Sequence, residues 1–101
     1  MIPYEARWAV YTVAWDQYGS KRQIWKVVEE MAELTVELAK LQSGGATRDS
    51  VIDEITDVTI MMEQLKSLLG LNEVVQDRMD FKIRRLAERL GVPELLEGYD
   101  G

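Results

Sequence analysis

The sequence SGGAT at residues 43–47 separates two long stretches in which apolar residues recur at helical spacing. Two adjacent glycines end a helix, because fixing glycine in helical geometry costs more conformational entropy than fixing any other residue. Thr47 carries a side-chain oxygen that suits the N-cap of a new helix. These signals predict a helix that ends near Gln42, a tight turn, and a second helix that reaches Leu69.

Capping signals also define the part of the chain before this pair of helices. Pro3 suits a first helical turn, and apolar periodicity then continues to about Tyr18. Gly19 is expected to end this first helix. Ser20 and Gln23 have the spacing of a capping box, which predicts the start of the second helix.

A fourth helix is predicted after Gly70, which is expected to end the third helix as its C′ residue. Asn72 is expected to cap this fourth helix, which continues to Leu90 and stops at Gly91. Short connections favour antiparallel neighbours. The predicted fold is therefore all-α, an antiparallel helical bundle of about four helices.

Composition limits the chemistry that the chain can perform. Its 101 residues, 47% hydrophobic and 30% charged, predict a single domain spanning residues 1–101. The chain has no Cys and no His, which excludes thiol and imidazole chemistry and leaves carboxylates, Lys, Arg, hydroxyls or an oxygen-ligated metal. A net charge of -6 disfavours polymeric nucleic acid as a partner. With no signal-like segment and no bilayer-length apolar run, we expect a cytoplasmic protein without membrane association.

Acidic residues recur along the second helix. Glu30, Glu33 and Glu37 share one stripe at about 100° per residue. Basic residues fall on the same arc, so the stripe could be a solvated face with ion pairs between adjacent turns. These basic residues are Arg22, Lys26 and Lys40.

The third helix places two further carboxylates away from its expected solvent side. Glu54 lies about 180° from Glu63 around the helix axis, and Asp57 lies about 120° from it. Their stripe continues into core-type residues such as Met61. Glu54 and Asp57 are therefore expected to point toward the bundle.

Folding the chain at the glycine turn brings Glu33 and Asp57 to similar heights, each roughly 15 Å from the turn at about 1.5 Å per residue. Carboxylates ~4 Å apart repel by roughly 4 kcal/mol at an effective dielectric of 20. Either some of them bind protons or a cation lies between them. All-oxygen ligation favours Mg2+, with Mn2+ as a possible substitute.

These residues resemble a known family. Glu29-Glu30-x-x-Glu33 followed by Glu54-x-x-Asp57 is similar to the EExxE…ExxD signature of the all-α nucleoside triphosphate pyrophosphatases, in particular the small MazG-like pyrophosphohydrolases. The likeness covers roughly residues 15 to 90. Acidic pairs of this spacing are common on single helices, whereas both halves on consecutive helices make a more specific pattern.

The resemblance implies that Glu30, Glu33, Glu54 and Asp57 bind one or more Mg2+ ions. It also implies hydrolysis of a (d)NTP between its α- and β-phosphates, which yields a (d)NMP and pyrophosphate. Glu33 or the neighbouring Glu29 could align or deprotonate the attacking water. The alternative is a non-catalytic oligomeric helical bundle that binds nucleotide or a protein partner.

The family often places a Lys and an Arg three residues apart on the fourth helix to hold phosphates, and Lys82 and Arg85 match this spacing. The family's Asn two residues before the Lys is replaced here by Asp80. A solvated face that pairs with nearby acidic residues is the alternative for these cations.

Aromatic residues on the first helix form a seam with spacings of four and three residues: Tyr4, Trp8, Tyr11, Trp15 and Tyr18. Burial against another helix or subunit is the favoured interpretation of this seam. Trp15 and Trp25 are the candidates for contact with a base.

A lone four-helix chain would not cover this seam and the wide apolar arc of the second helix. We therefore expect self-association as a homo-oligomer, a dimer or tetramer according to the resemblance.

Overall fold

The computed structural model describes residues 1–99, which are helical throughout their regular structure and contain no strand. The elements are α1 (Tyr4–Tyr18), α2 (Ser20–Gln42), α3 (Arg48–Leu68), α4 (Asn72–Arg89) and a short 3-10 helix (Pro93–Leu96). The all-α prediction is confirmed. Within the same residues, every helix is too short or too polar to cross a bilayer.

The chain divides into two compact units, the first of which is Met1–Leu69 and the second of which begins at Gly70. In the first unit, α2 and α3 share the most extensive interface, and α1 contacts both of them. In the second unit, α4 contacts the 3-10 helix. The assignment of residues 1–101 to a single domain stays a prediction.

The turn between α2 and α3 uses the residues that the sequence singled out. Gly44 adopts a φ of 84°, a left-handed value that favours glycine, and the Gly45 N–H donates to the Lys40 carbonyl at 2.7 Å. Thr47 caps α3, because its Oγ1 accepts from the Ser50 N–H at 3.0 Å. The Ser50 hydroxyl in turn accepts from the Thr47 N–H at 3.1 Å, which completes a reciprocal capping box. The predicted cap is confirmed.

Two other predicted caps are wrong. At the start of α2 the N-cap residue is Gly19, and no side chain caps the helix. Gln23 is buried instead and donates from Nε2 to Gln64 Oε1 at 3.2 Å, so its amide is used between helices. At the start of α4 the N-cap residue is Leu71, and Asn72 is already the first helical residue.

The core of the first unit is small. Its buried apolar residues are Tyr11, Val27 and Met61, one from each helix. Within the predicted aromatic seam only Tyr11 is buried, whereas Trp8 is 43% exposed. Packing within the first unit therefore does not bury the whole seam.

The Thr47 cap can be tested by substitution. Thr47→Ala should lower the free energy of unfolding by about 1 kcal/mol, because it removes the acceptor for a backbone N–H at the start of α3. The measurement is the midpoint of urea denaturation followed by circular dichroism. Thr56→Ala is the matched control, since Thr56 lies inside α3 and only bonds back to the Ile52 carbonyl. Equal midpoints for the two variants would contradict the capping assignment.

Candidate metal centre

Three carboxylates meet at the interface between α2 and α3. Glu30, Glu33 and Glu54 each place one carboxylate oxygen within 4.8 Å of the others. Glu30 is buried, Glu54 is half-buried and Glu33 is exposed. The cluster therefore extends from the interior of the first unit to its surface.

Local sequence explains why these side chains meet. Glu30 and Glu33 are three residues apart on α2 and so share a helix face. Hydrogen bonds between side chains connect α2 and α3 on both sides of the cluster. Nearer the turn, the Ser50 hydroxyl donates to Glu37 Oε1 at 2.6 Å. Farther from the turn, Gln23 bonds to Gln64.

Two carboxylate oxygens of these residues, Glu30 Oε2 and Glu54 Oε2, are shielded from water and have no hydrogen-bond partner in the described part of the chain. The other oxygen of Glu30 lies 3.2 Å from Lys26 Nζ. Lys26 also pairs with Glu29 at 3.3 Å, so this ammonium group is shared. Leaving a buried acceptor unpaired costs roughly 1–3 kcal/mol, and more when the group is charged. Lys26 therefore compensates only part of the negative charge of the cluster.

Neighbouring negative charges and burial raise the pKa values of two of these carboxyl groups. The pKa of Glu33 is raised from its ordinary value of 4.5, mainly by the charge of Glu30, with burial and the charge of Glu54 adding to the effect. The pKa of Glu54 is raised chiefly by burial, then by the charges of Asp57 and Glu30. Both shifts have the sign expected for carboxylates without a neighbouring cation.

The donor set fits a hard divalent cation. All of the donor atoms in the cluster are carboxylate oxygens, which Mg2+ and Mn2+ prefer to nitrogen or sulfur. A cation among them would supply the partner that Glu30 Oε2 and Glu54 Oε2 lack. The positive charge of such a cation would also offset the repulsion among the carboxylates, which contributes to the raised pKa values of Glu33 and Glu54.

Asp57, the fourth predicted ligand, is placed differently. Its side chain is exposed, and it does not belong to the group of three whose oxygens approach within 4.8 Å. Its charge still acts on the cluster, since it raises the pKa of Glu54. A role for Asp57 as a ligand stays a prediction.

An open cavity of about 380 Å3 lies beside the cluster and is bordered by Glu33, Glu37 and Glu54. Glu29, the other predicted catalytic carboxylate, is exposed and borders the same cavity. Lys40 adds a positive charge to the border. The cavity therefore gives a ligand access to the exposed side of the cluster.

The two tryptophans proposed for base contact have different surroundings. Trp25 is 64% exposed and borders a second cavity, of about 510 Å3, together with Tyr18 and Arg22. Trp15 is half-buried and donates from Nε1 to Gln64 Oε1 at 3.0 Å. A role in stacking is compatible with the exposure of Trp25, whereas the indole N–H of Trp15 is already engaged.

Lys82 and Arg85, the predicted phosphate ligands, lie on α4 in the second unit, and both are exposed. The Arg85 guanidinium lies 5.8 Å from the centroid of the Phe81 ring. Contact of Lys82 or Arg85 with phosphate stays a prediction.

Sequence reasoning missed the buried amide pair of Gln23 and Gln64. The available signal was the position of Gln64, three residues after Met61, which places an amide on the core side of α3. The solvated-face interpretation of Lys26 included ion pairs between adjacent turns, and the structure shows such a pair with Glu30, which is buried. The spacing of four residues between them was the signal for this pair.

The raised pKa values predict that the metal-free protein becomes more stable as the pH falls from 7 toward 4.5. In this window the folded Glu33 and Glu54 bind more protons than the unfolded chain does, so acidification favours the folded state. Glu33→Gln should raise the melting temperature at pH 7 and reduce the gain on acidification. The measurement is thermal melting in chelator across this pH range.

Glu5→Gln is the control with the same change in charge. Glu5 lies in the first turn of α1, where a negative charge is favourable, so its removal should not stabilise the protein. If Glu33→Gln and the wild type gained equally on acidification, the electrostatic conflict at the cluster would be refuted.

Comparison with known proteins does not place the chain in a family. No family model, curated protein or solved structure matches it. The likeness to the all-α nucleoside triphosphate pyrophosphatases rests on the acidic residues at positions 29–33 and 54–57.

Proposed function

We propose that the protein is a Mg2+-dependent nucleoside triphosphate pyrophosphohydrolase, with the cation held by Glu30, Glu33 and Glu54. One observation carries the proposal: two shielded carboxylate oxygens, one of Glu30 and one of Glu54, have no hydrogen-bond partner among residues 1–99. The reaction is inferred from the likeness of the acidic pattern to the pyrophosphatase signature, and it is cleavage of the nucleoside triphosphate between its α- and β-phosphates. The expected location is the cytoplasm, where such a substrate is available.

A chain with a net charge of -6 repels a free triphosphate. Carboxylates that hold a cation provide a place where the phosphates can approach despite this repulsion. When bound, Mg2+ neutralises charge on the phosphates and lowers the pKa of a coordinated water. Mg2+ commonly combines one or two carboxylates with substrate phosphates and waters, so a three-carboxylate cluster is sufficient.

The residues around the cluster have separable roles in this proposal. Glu30, the most buried member, anchors the cation, while exposed Glu33 connects it with the cavity. Glu29 lies outside the group of three but borders the cavity. It is therefore the carboxylate best placed to align or deprotonate the attacking water.

We further propose that α2 and α3 are antiparallel neighbours in a bundle that is completed by a second copy of the chain. Large apolar side chains are exposed on each helix of the first unit, including Val10 at 67%, Val36 at 53% and Ile55 at 48%. A shallow apolar hollow on α1 is bordered by Val10 and Val13. Contiguous apolar surface of this kind commonly marks a protein interface.

Pyrophosphate release tests the proposed reaction. With Mg2+ and a panel of NTPs and dNTPs, the wild type should release one pyrophosphate per nucleoside monophosphate. Glu54→Gln should lower kcat/KM by at least about 100-fold, because loss of even an outer-shell partner of a metal site costs about 10–100-fold. Mg2+ should raise the melting temperature of the wild type but not of Glu54→Gln.

Asp49→Asn is the control for this substitution, since Asp49 lies in the first turn of the same helix and outside the cluster. It should keep both turnover and the thermal response to Mg2+. Saturable nucleotide binding without pyrophosphate release from any substrate would instead favour a non-catalytic nucleotide-binding protein.

Light scattering tests the assembly. The measured mass at micromolar concentration should be at least twice the 11.6 kDa of one chain. Val13→Asp should reduce the mass, because it places a charge in the exposed apolar hollow of α1. Val74→Asp, a substitution at an exposed valine of α4, is the control. A wild-type mass of one chain would rule out the homo-oligomer.

A further inference from the structure

The cavity of about 510 Å3 bordered by Trp25 has the features of a site for a flat heterocycle. Its volume lies within the range of about 300–1,000 Å3 that is common for ligand sites. Trp25 and Tyr18 are 64% and 48% exposed, so both rings offer surface for stacking. Met61, which is buried, contributes an apolar surface. Glu29 borders both this cavity and the one beside the carboxylate cluster, so one ligand could occupy both.

A chain of hydrogen bonds fixes the orientation of an amide at this cavity. The indole N–H of Trp15 can only donate, so the Gln64 atom 3.0 Å from it must be the carbonyl oxygen. The same Gln64 oxygen lies 3.2 Å from the side-chain amide of Gln23, which must therefore present its NH2 group there. Trp15 thus determines, through Gln64, which way the Gln23 amide points.

The carbonyl oxygen of Gln23 is the remaining end of this amide. Gln23 is only 7% exposed and borders the cavity. Its Oε1 is not among the shielded, unpartnered oxygens of the described chain, which are those of Glu30 and Glu54. Because the NH2 group of Gln23 is engaged by Gln64, the carbonyl oxygen is the end of this amide that is left for a ligand in the cavity.

We propose that this cavity binds the base of the nucleotide and that Gln23 Oε1 selects bases that offer an N–H donor. Trp15 and Gln64 are positioning residues, which act through Gln23 and not by touching the base. This inference rests on the proposed function for the triphosphate end of the ligand. It changes the role of Trp15 from stacking partner to orienting group.

Binding of nucleosides, which carry no phosphate charge, followed by tryptophan fluorescence without metal at pH 8, tests the selection. Three pairs differ in one N–H donor group: adenosine and purine riboside, cytidine and 2-pyrimidinone riboside, and uridine and 3-methyluridine. In at least one pair the donor-bearing base should bind roughly tenfold more tightly, the scale of one unmade hydrogen bond in a buried site. Equal affinities within every pair, or no binding of any nucleoside, would overturn the inference.

Variants separate selection by the amide from selection by shape. Trp15→Phe lets the Gln64 amide rotate, so the preference should fall toward unity while the donor-free base binds as before. Adding Gln64→Glu should restore the preference, because a carboxylate can only accept from Gln23. Gln23→Met removes the acceptor without involving Trp15 and should also abolish the preference. A preference retained in Gln23→Met overturns the inference, even if the Trp15 variants do not fold.

Pyrophosphate release with Mg2+, measured on the same wild-type protein, distinguishes this inference from the proposed function. Release from all NTPs without any base preference would overturn the role of Gln23 and leave the pyrophosphohydrolase proposal intact. A clear base preference in binding without any pyrophosphate release would overturn the pyrophosphohydrolase proposal and leave the role of Gln23 intact.

Discussion

The repulsion among Glu30, Glu33 and Glu54 is the constraint on which the first unit depends. Packing of α2 against α3 brings one oxygen of each within 4.8 Å of the others, and the ammonium group of Lys26 is the positive charge closest to Glu30. At such distances like charges repel one another unless the surroundings screen them. This repulsion is the main cause of the raised pKa of Glu33, and it adds to the effect of burial on the pKa of Glu54. Proton uptake and cation binding are two ways of relieving the same strain.

The fold tolerates this repulsion because other contacts hold the two helices together. The capping box of Thr47 and Ser50 fixes the start of α3, and Ser50 also bonds to Glu37 across the interface. On the other side of the cluster, Gln23 and Gln64 are joined by a buried amide hydrogen bond. The carboxylates are therefore held between two polar contacts that do not depend on them. A cation bound there would meet carboxylates that are already held in place, which would lower the entropic cost of binding.

Glycine residues predicted the ends of the helices well, because their conformational freedom acts locally. Gly19 and Gly44 adopt the left-handed geometry that ends a helix, and the predicted bounds of α1 and α2 agree with the structure. Helical spacing also brought Glu30, Glu33 and Glu54 together correctly. It could not identify the Gln23–Gln64 pair, because the choice of side-chain partner depends on tertiary packing. The capping box expected at Ser20 failed for the same reason, since Gln23 found a partner on another helix.

The α2–α3 interface treats its polar groups in two different ways. At Gln23 and Gln64 it uses neutral amides that bond to one another, and the indole N–H of Trp15 donates to the same Gln64 oxygen. At Glu30 and Glu54 it uses carboxylates and leaves one shielded oxygen of each without a partner. Amides at these positions would pack in similar volume without like-charge repulsion, so stability alone does not account for the acids. A bound cation would give carboxylates an advantage over amides there, and this contrast within one interface supports the proposal that the cluster binds a metal.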